Sequence, residues 1–355
     1  MTEQLWETYA QQMEGSGAAD LPSRLPENVQ SLLEELGLTA LDPSAYTDLG
    51  LGQMVQMLTD LLTAQASGPK ATIGMLLGVI LLCALFGGLD GAVGSVSLRR
   101  TYQGVAVLSA GGAVLVPLLA LFATVWEAVE QVTVFLTAFV PVYGAILFTS
   151  GQAVGAASYQ TTLLFAVQIL LWLVRSIVLP ILLVSLGLGC VGAVSEGFCL
   201  DRISAALHKA ILWLMGLSST LFSGLLSLQQ MVAAAGDSLS SRVVKFSLSS
   251  FVPVVGGVLS DAYNTVVGCG GLLRSTVGAF GALSVVLVVL PPLLSCVCWS
   301  VGLQLAGGAA ALFGLTPLDT LCRTAAGAVK VLIAVLAVFA LLMILSTSVV
   351  VFVGR

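Results

Sequence analysis

Residues Phe139–Leu147 read FVPVYGAIL, and Phe251–Leu259 read FVPVVGGVL. Six of the nine positions are identical, at a constant offset of 112 residues that also carries Pro180 onto Pro292. Val and Leu match easily in an apolar chain. Matched Pro and Gly at fixed spacing do not, so the register reads as an internal duplication. How the phrase is read decides the fold. Pro141 or Pro253 inside a crossing helix would remove a backbone hydrogen bond and kink it. In lipid the freed carbonyl would then need a protein or water partner. The alternative is a re-entrant hairpin that enters and returns on one side.

The surroundings of the phrase are apolar. Of 355 residues, 58% are hydrophobic and 9% charged, and the mean hydropathy is +1.05. A soluble domain has about 25% charged residues. Only helices and closed barrels satisfy the backbone in lipid, and long unbroken apolar runs exclude the alternation of a barrel. Six spans are predicted: Ala71–Leu89, Gly104–Val125, Leu163–Leu188, Ile211–Ala234, Val277–Val301 and Val331–Phe352. Each is close to the about twenty residues that a crossing requires. The two copies of the phrase, over 132–150 and 246–260, lie between them.

Charge placement chooses between the two readings. With both copies re-entrant, Arg99, Arg100, Arg202, Lys209, Arg323 and Lys330 fall on one side, which satisfies the positive-inside rule. With both copies crossing, that bias is lost. The expected fold is therefore an all-α polytopic membrane protein. It has about six transmembrane helices plus two proline-broken re-entrant hairpins, in a tandem repeat (about 101–210 and 211–355). Lys70, Arg242, Lys245 and Arg274 fall on the outer side.

Residues 1–70 form a different kind of segment. They hold ten acids against Arg24 and Lys70, a net −8 within a chain of net −5. Short amphipathic helices are expected near 27–37, stopped by Gly37, and near 47–64. This is an acidic soluble arm, and 71–355 is the membrane domain. Met1–Ala10 has no basic stretch followed by an apolar one. An arm on the outer side therefore implies a leader removed from a longer precursor.

The chemistry-bearing residues are few. There is no phosphate loop, GxGxxG after a strand, HExxH or GxSxG, which argues against an enzyme. His208 is the only histidine, and the seven cysteines are an odd set in apolar runs. They read as packing residues, and no metal or other cofactor is expected. Arg175 lies inside a span, where a charge costs at least about 3 kcal/mol. It lines a path or pairs between helices; alternatively it snorkels or pairs with Glu196. Asp261, just past the second copy, is a mouth carboxylate or a helix cap. Pro141 with Gly144, and Pro253 with Gly256, form a gate or a site of tight packing. Arg202, Lys209, Arg323 and Lys330 lie on connectors that read as interfacial helices or docking points for a cytoplasmic partner.

From about Thr101 to the end, the chain resembles the stage III sporulation protein AE family. The residues behind this are FVPVYGAILFTSG (139–151), LVRSIVLPILLVS (173–185), AVSEGFCLDRISAALHKAILWLMG (193–216), RVVKFSLSSFVPVVGGVLSDAYNTV (242–266) and the last span opened by Lys330. The resemblance implies a role in endospore formation. It implies a non-enzymatic component of a mother-cell-to-forespore channel, or feeding tube, in the outer forespore membrane. The implied partners are ring-forming subunits of the same operon, a cytoplasmic secretion-type ATPase and a forespore protein, with lipid around the chain and copies of itself as a further partner. Nucleic acid is not among them. Two other functions fit the residues: a small-solute secondary transporter, and a scaffold that anchors the ring subunits.

Overall fold

The fold is that of a computed structural model, which describes residues 3–38, 41, 50–93, 96–194, 200–251 and 256–353. The described residues hold helices and short connections, with no strand among them. The arm comprises α1 (Glu3–Ser16), two 3-10 turns (Ala18–Asp20 and Pro22–Arg24) and α2 (Glu27–Glu35). The rest is α3 (Leu51–Val93), α4 (Val96–Thr149), α5 (Ala153–Leu173), a π-turn over Val174–Val178, α6 (Leu179–Val194), α7 (Leu200–Phe251), α8 (Gly256–Leu312) and α9 (Thr316–Val353). With α5 and α6 joined through the π-turn, six helices are long and apolar enough to cross a membrane. The chain has the character of a multi-pass membrane protein.

Helices successive in the chain alternate in direction. Along α4 and α8, Ser150 meets Gly270, Tyr143 meets Gly278 and Phe139 meets Gly281. Asp237 of α7 reaches the start of α5, while His208 near the start of α7 meets Ser185 of α6. Gly307 of α8 meets Cys322 of α9, and Gly281 meets Met343. The arm, Ser150, Asp237 and the closing part of α9 thus share one end of the bundle, called here the arm end. His208, Asp319 and Arg323 lie at the other, the connector end.

The helical hairpin expected over 132–150 is not formed. Those residues close α4, which runs unbroken for 54 residues, about 80 Å at 1.5 Å per residue. Reversal needs a residue that tolerates positive φ, and in this stretch that residue is Gly151, at φ 80. Gln152 N–H donates to Leu147 O at 3.0 Å and Gly151 N–H to Phe148 O at 3.1 Å, the paired bonds of a Schellman stop. Gly37 and Gly314 end α2 and α8 with the same pair of bonds. Pro141 lies exposed on the outer side of α4, and the helix continues through it. The Thr137 and Thr133 hydroxyls bond back one turn, to Thr133 O and Val129 O, through the preceding turns.

The second copy falls partly on residues 252–255, outside the described residues, between α7 and α8. The 112-residue offset lays α4 on α7 and α5–α6 on α8, helices of matching direction. The turns do not coincide, however. The one at 150–152 maps onto 262–264, inside α8.

Three other expectations change. The helix expected near 47–64 and the first span are one helix, α3, with Pro69 inside it, so residue 70 is not a break. Arg274, expected on the outer side ahead of the fifth span, lies inside α8 one turn past Gly270 and is buried, 7% exposed. The connectors are not separate interfacial helices. Their described parts are the opening turns of α7 and α9, since no breaker interrupts either helix.

The buried arm residues, including Tyr9, Leu21, Leu25, Val29, Leu33 and Leu38, belong to the same apolar core as the bundle. Tyr9 Oη donates to Leu41 O at 2.8 Å. The arm docks on the bundle where Gly17 approaches Val142 and Gln12 Nε2 donates to Val266 O at 3.1 Å.

Candidate functional site

The first copy of the phrase belongs to a closed interior. Phe139, Val140, Tyr143, Ile146 and Leu147 are each fully buried. Phe135, Phe139 and Tyr143 follow one another at four-residue spacing, so they form a ridge on one face of α4. Phe139 stacks on Tyr143 at 5.3 Å and lies 5.6 Å from Phe135. The ridge presses into a face of α8 where Gly278 and Gly281 leave room for it. Tyr159 of α5 closes the far side, 5.2 Å from Tyr143. Gly144 is buried under Gln160 of α5, whose Nε2 donates to Pro141 O at 3.4 Å. Gly144 thus serves close helix packing in this fold.

Polar contacts tie α7 to α5 and α6 along their length. Asp237, itself buried, accepts from Val154 N–H at 2.8 Å and Gly155 N–H at 2.9 Å. A carboxylate on the open N–H groups of a helix start is favoured by hydrogen bonding and by the helix dipole. Gly155 is required there, because a Cβ would stand 2.9 Å from the carboxylate. Further along, Gln229 accepts from Thr162 and Ser158. Near the connector end His208 Nε2 and Ser185 Oγ are 2.8 Å apart, and Ser204 Oγ donates to Ser185 O at 2.6 Å. Sequence reading gave Asp237 no role, since its partners are backbone groups more than eighty positions away.

The remaining predicted site residues separate. Arg175 lies in the π-turn on the outer face of the bundle, exposed beside Trp172, and faces no interior space. Its suggested mate Glu196 is outside the described residues, as is Pro253. Gly256 opens α8 and Asp261 lies in its first turns; their surroundings are outside what is described.

The connector residues do come together. Lys209 of α7 and Arg323 and Lys330 of α9 line one open cleft of about 370 Å³ with His208 and Asp201. Arg323 Nε bonds Asp319 Oδ1 at 2.7 Å. Arg202 is exposed on the same turn of α7 as Asp201 but does not line the cleft. The cleft depends on close approach of the helices. A Cβ on Gly327 would stand 2.5 Å from His208 Nδ1, and one on Gly189 would strike Thr324. Among the described residues no three His, Cys, Asp or Glu side chains cluster as metal ligands would.

Comparison with known proteins places this fold. The family model for stage III sporulation protein AE matches residues 44–354, which include all six long helices. A protein of Bacillus subtilis (strain 168) named stage III sporulation protein AE is 28% identical over 229 residues. That alignment takes in 64% of this chain and 57% of the relative, so little more than half of the relative is spanned. No solved structure matches. With most of its length, and every long helix, inside one family model, the chain belongs to the stage III sporulation protein AE family.

Proposed function

We propose that the chain is a non-enzymatic, membrane-embedded component of the mother-cell-to-forespore channel complex of endospore formation. Its path runs along the outer faces of the bundle, against other subunits or further copies, and not through the middle. The observation behind the reading is the family match over all six long helices. Two features of the structure support the position of the path. The Phe135–Phe139–Tyr143 ridge and its α8 groove leave the centre at the arm end filled. Arg175 stands on the outer wall of a span, where lipid alone would cost at least about 3 kcal/mol and a polar neighbour would remove that cost.

In this reading the protein sits in the outer forespore membrane. The arm end and both termini face the intermembrane space, and the connector end, with Lys209, Arg323 and Lys330, faces the mother-cell cytoplasm, as the positive-inside rule favours. Ring-forming subunits would meet the arm end, and the secretion-type ATPase the connector end.

The test is genetic. Deleting the gene in the endospore-forming host is expected to leave engulfment complete and to abolish output from a late forespore reporter. Arg175→Leu is expected to melt like the parent protein yet fail to co-purify with the other operon products. A normal reporter in the deletion strain would contradict the function. Full assembly by Arg175→Leu would contradict the outer-face path.

A further inference from the structure

The cleft between α7 and α9 at the connector end is cationic, and a separate, largely apolar crevice lies further along the same two helices. Its charged lining is Lys209, Arg323 and Lys330 against Asp201. Lys209 and Lys330 are exposed, and neither has an ion-pair mate among the described residues. Arg323 uses Nε on Asp319, which leaves the other guanidinium donors free to turn into the cleft. His208 forms part of the wall, with Nε2 held by Ser185.

Leu212 forms the apolar edge of this cleft. Two to four helical turns further along, the same pair of helices leaves a narrow crevice lined by Phe222, Leu226, Leu341 and Leu345. Trp213, 69% exposed, stands on α7 beside the cleft, as aromatic side chains do at a membrane–water boundary.

We propose that the cleft holds the phosphate-bearing headgroup of an anionic phospholipid. Lys209 and Lys330 pair with the phosphate, Arg323 supplies further donors, and an acyl chain follows the α7–α9 groove past Leu212 toward Phe222 and Leu341. Basic pockets between crossing helices select lipid headgroups in this way. An acidic peptide would match the charge but would leave Leu212 and the crevice further along the same helices unused. The inference rests on the membrane reading of the six helices and is independent of the channel.

The test uses the full chain purified in detergent, with its thermal unfolding followed as lipid is added. Dioleoyl phosphatidylglycerol is expected to raise the midpoint saturably, and dioleoyl phosphatidylcholine to have little effect. Lys209→Gln with Lys330→Gln should weaken the phosphatidylglycerol response about thirty-fold and leave the melt in phosphatidylcholine unchanged. Each single variant should weaken it about five-fold, which keeps the test open should the double variant melt early. Arg242→Gln, exposed on α7 toward the arm end, should respond like the parent protein.

Equal responses to the two lipids, or an unchanged response in the double variant, would overturn the site. So would an equal loss in Arg242→Gln, which would mean general charge attraction. Stabilisation by glycerol phosphate matching that by phosphatidylglycerol would reassign the ligand to a free phosphate ester. Displacement of the lipid by a polyglutamate peptide at lower concentration would reassign the cleft to an acidic protein segment. Either result would overturn the lipid.

Discussion

Phe139→Ala is expected to lower the unfolding free energy by about 3 kcal/mol, and Phe148→Ala to change it by less than about 0.5 kcal/mol. Both residues lie in the closing stretch of α4, nine positions apart, but Phe139 is fully buried and Phe148 is 64% exposed. Removing the Phe139 ring would empty the space between Phe135, Tyr143 and the α8 face at Gly281. In an apolar solvent the transfer part of the loss shrinks, because lipid is as apolar as the core. The lost packing remains, which sets the expectation near the low end of the soluble-protein range. Equilibrium unfolding in mixed micelles measures both variants. Equal effects from the two would show that the ridge is not packed as described.

Gly281→Leu is expected to be at least as damaging, about 3 kcal/mol or more, because it overfills the same contact from the other side. Even a Cβ at Gly281 would fall on the Phe139 ring and stand 2.7 Å from Met343 Cε. The ring cannot retreat, since Phe135 and Tyr143 flank it at 5.6 and 5.3 Å. Gly308→Ala provides the contrast. Nothing lies within 4 Å of its added carbon, and replacing a mid-helix glycine there should stabilise by about 0.5–1 kcal/mol. Combining Gly281→Ala with Phe139→Leu should recover part of the loss of Gly281→Ala alone, because touching residues couple. The same unfolding titrations test this, and strictly additive losses would contradict the contact.

The apolar spans were legible because about twenty consecutive apolar residues have few other uses. Each predicted span lies inside one of the six long helices. Helix ends were less legible. The phrase contains Pro141 and Gly144, the usual signs of a break, yet neither breaks α4. Proline inside a helix removes one backbone hydrogen bond and need not end the helix. Gly144 is there for Gln160, and the turn waits for Gly151. Composition does not separate a glycine that turns the chain from one that admits a neighbour. Among the described residues, only Gly17, Gly37, Gly151 and Gly314 adopt positive φ.

Of the candidate site residues, Lys209, Arg323 and Lys330 came together because they occupy the opening turns of α7 and α9, helices that pack side by side. Arg175 did not join an interior path, because the face of the helix it occupies depends on how the π-turn rotates the chain there. The cap at Asp237 and the α4–α8 contact join residues far apart in the chain, and local pattern holds no signal of either.

The central claim is that α4 continues through the phrase and ends against α8. It is tested most directly by cross-linking Ser150→Cys with Gly270→Cys after replacing the seven native cysteines. A Cβ at Gly270 would lie 3.2 Å from Ser150 Cβ, a few tenths of an ångström inside the usual disulfide range, so with a small shift of the two helices mild oxidation should join the pair within one chain. A hairpin over 132–150 would instead return residue 150 beside residue 131. Failure of the 150–270 pair to join, together with efficient joining of Ser150→Cys to Gln131→Cys, would contradict the account.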